Sequence, residues 1–588
     1  MPINNQTPSI RDLVPELMGG AGPNLIRQDA VRPDTNWLRT AHMSTGVRST
    51  YVIPGDWPDR PDHWFAQDAP TYPLRKQNNV EFFIDGEATF EAMVEAIETA
   101  TGPDHFIVLL GWACHVDFVL SKKGTRCPGA KRNFFEIIKE RVEKGVLVRV
   151  LLYPNTKADT DAAGLPMEWN TKLILDTIEF PHPKPPAVSK IRIILDGALK
   201  KSGGLGQAQS CHHQKVLIVY GEEGLIGFFG GVDINGDRVN PSKVRMFAGP
   251  ELFDTHGPLH DVHARARGES AEDLLVLATN RWNFSAPYYP NLIGEAEPDQ
   301  VGGVIGGATY KTGREMEDMT FLLNRARANR IAPPGPHHHV KVAHTVGNPE
   351  LAKLQDNGAW PMVRHAIRQA KKFIYMEDQY LWSLDAAEEL GKAAYRVSHI
   401  TILVPPDDQM ILDSLRYRAL KKMKEVAGED AKKIGIYVIG EDVHQYIHAK
   451  MWIFDDEYAL IGSPNCNNRG YFTDSEVNGG IADPDWSSDS GPRAGKWWAL
   501  DLNFAHKLRI KLWSEHLRIP PEELIDGVAA EVHWRHPSWS SNSIRSARIS
   551  KYSTTLTSSG SSATPAWHEH LYADYDDYVR WAVMDPQI

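Results

Sequence analysis

Cysteine is scarce: Cys114, Cys127, Cys211 and Cys466 are the only four in 588 residues. None forms a CxxC pair, which argues against a disulfide framework and against cysteine-held zinc, and leaves reduced, buried thiols as the expectation. Long apolar runs are missing as well, since stretches such as Phe106 to Leu110 and Val216 to Val219 fall far short of the roughly 20 residues a bilayer span needs. The opening MPINNQTPSIRDLVPELM has no basic segment followed by an apolar one, so no secretory leader is read and synthesis in a cytosol is expected. Positive charge is in deficit. With 64 Lys and Arg against 75 Asp and Glu the net charge is −11, which disfavours broad binding to a nucleic-acid backbone. What is present, 42% hydrophobic and 24% charged residues, suffices for a large globular core.

The chain also has an internal repeat. FEAMVEAIETA (Phe90 to Ala100) shows helical apolar spacing and leads into the strand-like FIVLLGW (Phe106 to Trp112), just as PMVRHAIRQA (Pro361 to Ala370) leads into FIYMEDQYLW (Phe373 to Trp382). A second helix and strand follow in each half: FFEIIKERVEKG with VLVRVLLY, and AAEELGKAAYRV with ITILVPP. Helices alternating with all-apolar strands predict an α/β fold of two similar α/β/α sandwich halves, related by a pseudo-twofold axis, with the site at their interface. Composition sets the boundaries: an irregular aromatic arm over residues 1–79, a first half over 80–310, a linker over 311–336, a second half over 337–535, and a Ser/Thr-rich connector and tail over 536–588.

Each half then reaches a strand carrying histidine and lysine, CHHQKVLIVY (Cys211 to Tyr220) and IHAKMWIFDD (Ile447 to Asp456). Side chains alternate along a strand, so His213 projects with Lys215 and His448 with Lys450. Two imidazoles and two ammonium groups supply a nucleophile, a proton donor for a leaving alkoxide and cations for charge on phosphorus. That is the inventory for cleaving a phosphodiester through a covalent intermediate. A single HxK would be unremarkable on a strand surface. Two copies, each followed by a small-residue turn (FFGGVDIN from Phe228, LIGSPNCN from Leu460), are harder to assign to chance.

On these residues the chain resembles the phospholipase D superfamily, whose HxKxxxxD signature precedes a GG or GS turn. The second half matches at His448, Lys450, Asp455, Gly462, Ser463 and Asn465; the first matches at His213, Lys215, Gly230 and Gly231. It departs at Tyr220, which stands at the aspartate's place, and in having three more residues between lysine and turn. LHDVHARARGESAEDLLVLATNRWN (Leu259 to Asn283) and IYMEDQYL (Ile374 to Leu381) extend the resemblance to about residues 80–520. It implies His213 as nucleophile, His448 as general acid and then base, and Asn465, Ser463 and Gly231 as substrate-binding positions, with Asp455 and Asp233 in support.

Aligning the halves on their turns places Glu476 opposite Asp261. A catalytic histidine needs its second ring nitrogen held, so Asp261 is expected on His213 and Glu476 on His448.

The resemblance further implies a phospholipid membrane surface as a peripheral partner, no nucleic-acid partner, a monomer and no required cofactor or metal, with calcium stimulation left open. An acidic, leaderless chain of this pattern is similar to secreted antibacterial lipase effectors of type VI systems. From this follow non-classical export into a target-cell periplasm and a secretion-system or immunity-protein partner. Rival readings are a nuclease or tyrosyl-DNA phosphodiesterase, a cardiolipin or phosphatidylserine synthase, and a decayed lipid-binding protein suggested by Tyr220. His337, His338 and His339 are read as an exposed or core-edge run, and His212 and His444 as facing away from their catalytic partners or lying outside the strand. The segments 239–259 and 284–310 are expected to meet lipid at the pocket mouth.

Overall fold

The architecture comes from a computed structural model. It describes residues 61–66, 72–116, 118–121, 132–154, 167–179, 188–196, 211–238, 259–283, 285, 288–290, 304–305, 308–310, 318–346, 356–405, 410–439, 446–484, 502–535 and 549–551. The first half contains β1 (Arg75–Ile84), α1 (Asp85–Glu98), β2 (Phe106–Gly111), α2 (Phe134–Glu143), β3 (Leu147–Leu152) and β4 (Ile191–Leu195). It continues through the hairpin β5 (Val216–Gly221) and β6 (Gly224–Gly230), a short β7 (Leu259–His260), β8 (Val262–Gly268) and α3 (Glu269–Asn283). After α4 (Thr320–Ala328) come β9 (His338–Val346), α5 (Ala359–Gln369), β10 (Phe373–Asp378), α6 (Leu384–Ala393), β11 (His399–Val404), α7 (Met410–Ala427) and β12 (Ile434–Ile439). A short β13 (Tyr446–Ile447), the hairpin β14 (Lys450–Phe454) and β15 (Tyr458–Gly462), β16 (Glu476–Ala482), α8 (Phe504–Leu517) and β17 (Ile549–Lys551) follow.

One mixed sheet runs through both halves. From the antiparallel contact of β1 with β9, the order outward is β1-β8-β6-β5-β2-β3-β4 on one side and β9-β16-β15-β14-β10-β11-β12-β17 on the other. Corresponding strands therefore follow one another in the same order on both sides. The outer strands β2, β3, β4 and β10, β11, β12 are parallel, as their apolar runs require when helices cover both faces. On one face α3, α4 and α8 pack on an apolar layer common to both halves, which includes Leu110, Val216, Met451, Val477, Trp282 and Trp513. On the other face α1 and α2 cover the first half and α5, α6 and α7 the second. The α/β/α layering expected of each half is present, but the halves share a single sheet rather than forming two sandwiches.

Three segments read as irregular hold regular structure. Strand β1 begins at Arg75, inside the segment read as an irregular arm through residue 79. Its polar start hid it: Arg75 pairs with Asp273 at 2.6 Å, and Asn78 donates to the His338 carbonyl and accepts from the Ser270 amide. The linker over 311–336 holds α4, which buries Leu322, Leu323 and Ala326. Within the Ser/Thr-rich connector, β17 adds to the sheet beside β12. Of the aromatic arm, Trp64 stacks on Tyr458 of the second half at 5.6 Å.

Candidate active site

The two histidine and lysine pairs lie where the chain enters β5 and β14, and each motif acts electrostatically on the other. Lys215 Nζ donates to the His213 carbonyl at 3.0 Å and pairs with Asp233 at 3.2 Å. Lys450 Nζ donates to the His448 carbonyl and to Gln379 Oε1, the latter at 3.1 Å.

The carboxylates are exchanged relative to the sequence expectation. His213 Nδ1 lies 2.9 and 3.1 Å from the two oxygens of Glu476, and His448 Nδ1 lies 2.7 Å from Asp261 Oδ2. Each histidine is thus held by an acid from the other half. The backbone explains why. His213 N donates to the Ser475 carbonyl at 2.9 Å, and His448 N donates to the His260 carbonyl at 2.8 Å, so each acid follows the residue that docks on the opposite motif. β7 runs parallel to β13, and a matching bridge joins His212 to Ser475. Asp261 and Glu476 are equivalent in the repeat, and each contacts the histidine of the other half.

With Nδ1 engaged, Nε2 is the nitrogen each ring has left for chemistry, and the side chains of His213 and His448 keep 12% and 9% exposure. Burial, with Lys215 and Lys450 nearby, pushes His213 well below its ordinary pKa; burial, with Lys450 and Arg238, does the same to His448. Burial also raises Glu476 well above the usual carboxyl range and Asp261 to about 6. Burial therefore works against charge on both partners of each pair. Burial lowers Lys450 to about 7.

Two turn residues expected to bind substrate lie against the acids. The Ser463 hydroxyl is fully buried, donates to Glu476 and accepts from the Val477 amide at 3.0 Å. A Cβ at Gly231 would stand 2.0 Å from Asp261 Oδ1, so glycine leaves the room that this carboxylate occupies. Asn465 is 7% exposed, with its Oδ1 unpartnered. Asp233 is a network residue, as expected: burial opposes its charge, but Lys215, Arg238 and the Ala113 amide hold it below the usual range.

Asp455 caps the strand end by accepting from the amides of Lys371, Lys372 and Phe373. Tyr220 has no such task. It continues the ladder opposite Phe106 and stacks on that ring at 5.2 Å. The base of both hairpins keeps one register, Val216 opposite Phe229 and Met451 opposite Ile461, so the three extra residues of the first half only lengthen its tip. The departure at Tyr220 lies at the strand end away from Lys215, and a decayed site loses its best support.

Sequence reasoning missed Arg238 and Arg469. Arg238 pairs with Asp233 at 3.4 Å and Arg469 with Asp474 at 3.0 Å; each acts electrostatically on one of the histidines. The available signal was an arginine soon after both small-residue turns, in GGVDINGDR and GSPNCNNR. Trp112, edge-on to His213 at 6.4 Å, and its counterpart Gln379 were also passed over. His212 turns to Ser475 Oγ; His338 accepts from the Val80 amide, His339 pairs with Asp62, and His337 is exposed. His444, Cys127 and most of segments 239–259 and 284–310 lie outside the described residues. Cys114, Cys211 and Cys466 are buried, and none of them forms a disulfide among the described residues.

Comparison with known proteins follows this geometry. The family model described as "Phospholipase D" matches residues 99–405, more than half of the chain, and that described as "Cardiolipin synthase, PLD-like domain" matches residues 363–490. Phospholipase D alpha 1 of Nicotiana tabacum is 24% identical over 84% of this chain and 72% of its own length. The Carica papaya protein of that name is 23% identical over 72% and 63%. Among solved structures, phosphatidylserine synthase of Haemophilus influenzae Rd KW20 is 14% identical, with a TM-score of 0.41 over 69% of this chain and 82% of its own. The chain belongs to the phospholipase D superfamily and is an enzyme of the phospholipase D type.

Proposed function

We propose that the protein hydrolyses glycerophospholipids at a membrane surface, giving phosphatidic acid and the head-group alcohol, through a phosphohistidine on His213. The observation that carries this reading is the pair of crossed histidine–carboxylate contacts flanked by Lys215 and Lys450. His213 Nε2 attacks phosphorus, the bond to the head-group oxygen breaks, and that oxygen takes a proton from His448 Nε2. His448 then removes a proton from water, whose oxygen attacks phosphorus as the bond to His213 breaks and its electron pair returns to the ring. A second alcohol in place of water gives transphosphatidylation.

Lys215, Lys450, Arg238 and Arg469 are the cations for the phosphoryl oxygens, and Asn465 is a donor within the same turn. In the resting site both histidines are neutral. An arriving phosphate anion favours protonation of His448, so substrate binding itself charges that ring for its role as acid, while His213 attacks through the free Nε2 lone pair of its neutral ring. Calcium stimulation and a monomeric state belong to this reading without a bearing on its steps.

The test is release of choline or ethanolamine from phospholipid vesicles, with His448→Ala as control; absence of release from every glycerophospholipid vesicle would remove the reading. Export into a neighbouring cell's periplasm is an extension, and the relatives' names do not speak to it. It predicts toxicity on periplasmic targeting, and equal growth with wild type and His213→Ala there would dismiss it.

A further inference from the structure

His260 ends β7 immediately before Asp261, and its imidazole is enclosed by three other elements. Nδ1 lies 2.8 Å from Asp85 Oδ1 of α1 and 3.9 Å from Glu515 of α8, and Nε2 lies 3.0 Å from Glu377 Oε2 of β10. Glu377 also meets His516 Nε2 of α8 at 3.0 Å and accepts from the Tyr375 hydroxyl. His260, Glu377 and His516 are wholly buried. The same residue reaches the catalytic groups through its backbone. Its carbonyl accepts from the amides of His448 and Ala449, at 2.8 and 3.0 Å. Asp85, held at φ 63°, donates its amide to the Asp261 carbonyl at 2.8 Å and accepts from the Asp261 amide at 3.3 Å.

The first half shows that the fold does not require this network. The position matching Glu377 is Leu110: the two stand opposite Met451 and Val216 in their sheets, and Leu110 joins the apolar core. The position matching His260 is Ser475, which bonds the neutral His212. A buried charged network adds little net stability over apolar packing of similar volume, so its presence in one half calls for another cause.

We propose that His260, clamped between Asp85 and Glu377, is a positioning residue that fixes the orientation of His448 and of its partner Asp261, with His516 of α8 completing the clamp. Burial opposes a charge on His260, but Asp85 and Glu377 raise its pKa well above the ordinary value, so the ring is a fixed cation beside Asp261. The charged or titratable groups facing it are Asp85 from α1, Glu377 and Tyr375 from β10, His516 and Glu515 from α8, and Asp261 on its own segment.

The proposal rests on His448 being a working member of the site, and two arms of the test separate that assumption from the positioning itself. In the full-length protein, His260→Gln and Glu377→Gln should each lower kcat for choline release about 10- to 100-fold, with KM little changed. In a His448→Asn background assayed with p-nitrophenyl phosphocholine, neither should cause further loss. A further tenfold loss there would mark general structural damage and overturn the proposal. The second arm does not need turnover: calorimetry of inorganic phosphate binding in buffers of different ionisation enthalpy reads proton uptake. His260→Gln should reduce that uptake as His448→Asn does; unchanged uptake would overturn the proposal. Stoichiometric divalent metal in the purified protein, lost in His260→Gln, would overturn it too, because the cluster would then hold an ion. If either buried variant loses its circular dichroism spectrum, Asp85→Asn, at the edge of the clamp, carries both arms.

Discussion

Lys215 sits between Asp233 and the indole of Trp112, whereas Lys450 sits between its own strand's carbonyl and the amide of Gln379. Behind His448 lies the charged cluster of His260, Glu377 and His516; behind His213 lie Ser475 and His212. The strand order, the hairpin register and the crossed contacts are alike in both halves, and the surroundings of the histidines are not. A duplicated fold delivers two equivalent imidazoles, and a two-step reaction needs one nucleophile and one proton carrier. The local differences are where those roles part.

The sharpest way to separate the halves is to remove one ring at a time. His213→Asn and His448→Asn should each cut choline release from phosphatidylcholine vesicles about 10³- to 10⁴-fold. With a p-nitrophenolate leaving group, only His448→Asn should recover, because a phenolate needs little protonation. Rapid quench and mass spectrometry should then find an acid-labile phosphoryl adduct on the peptide containing His213; an adduct on the His448 peptide would reverse the roles.

Exchanging the turn residues tests why the halves differ there. Gly231→Ser gives the first half what the second carries at Ser463, yet its Cβ overlaps Asp261, so kcat should fall about 10- to 100-fold. Activity near wild type would show that the Asp261 carboxylate has room to move.

Restoring the missing aspartate should harm the fold and not help the chemistry. Tyr220→Asp places a carboxyl against Phe106 with none of the amide donors that Asp455 has, and should lower stability by about 3 kcal/mol in denaturant titration. Turnover of the folded fraction should stay within about twofold of wild type; a large gain would show the first motif to be impaired as it stands.

The smallest effect concerns pH. Asp261, raised to about 6, is ionised only above that pH, and Lys450, lowered to about 7, is charged only below its own. Asp261 must be ionised to hold His448, and Lys450 must be charged to receive phosphate. kcat/KM should therefore fall on the acid side of about 6 and on the alkaline side of about 7. Asp261→Asn should remove the acid limb and, because the Asp261 charge supports that of Lys450, move the alkaline limb to lower pH.

Much of this was legible in the chain because it follows from periodicity and duplication. Alternation put His213 with Lys215 and His448 with Lys450, and apolar runs marked the parallel strands. The polar β1 escaped notice because its hydrogen-bond partners, His338 and Ser270, are distant in sequence. The exchange of Asp261 and Glu476 could not be read either: a repeat identifies equivalent residues, and only the packing of the halves tells which histidine each acid reaches. Arg238 and Arg469 were legible only as an arginine recurring after both turns, and the Glu377 cluster has no counterpart in the first half from which the repeat could reveal it.

The central claim is that each histidine is served by the acid of the opposite half, and a leaving-group series on two acid variants tests it most directly. Rates for aryl and alkyl phosphocholine esters are measured for Asp261→Asn and Glu476→Gln. The account predicts that Asp261→Asn follows His448→Asn, with losses that grow as the leaving group becomes more basic, while Glu476→Gln follows His213→Asn, with losses that do not depend on the leaving group. The opposite assignment, with Glu476→Gln sensitive to the leaving group and Asp261→Asn indifferent to it, would contradict the crossed pairing.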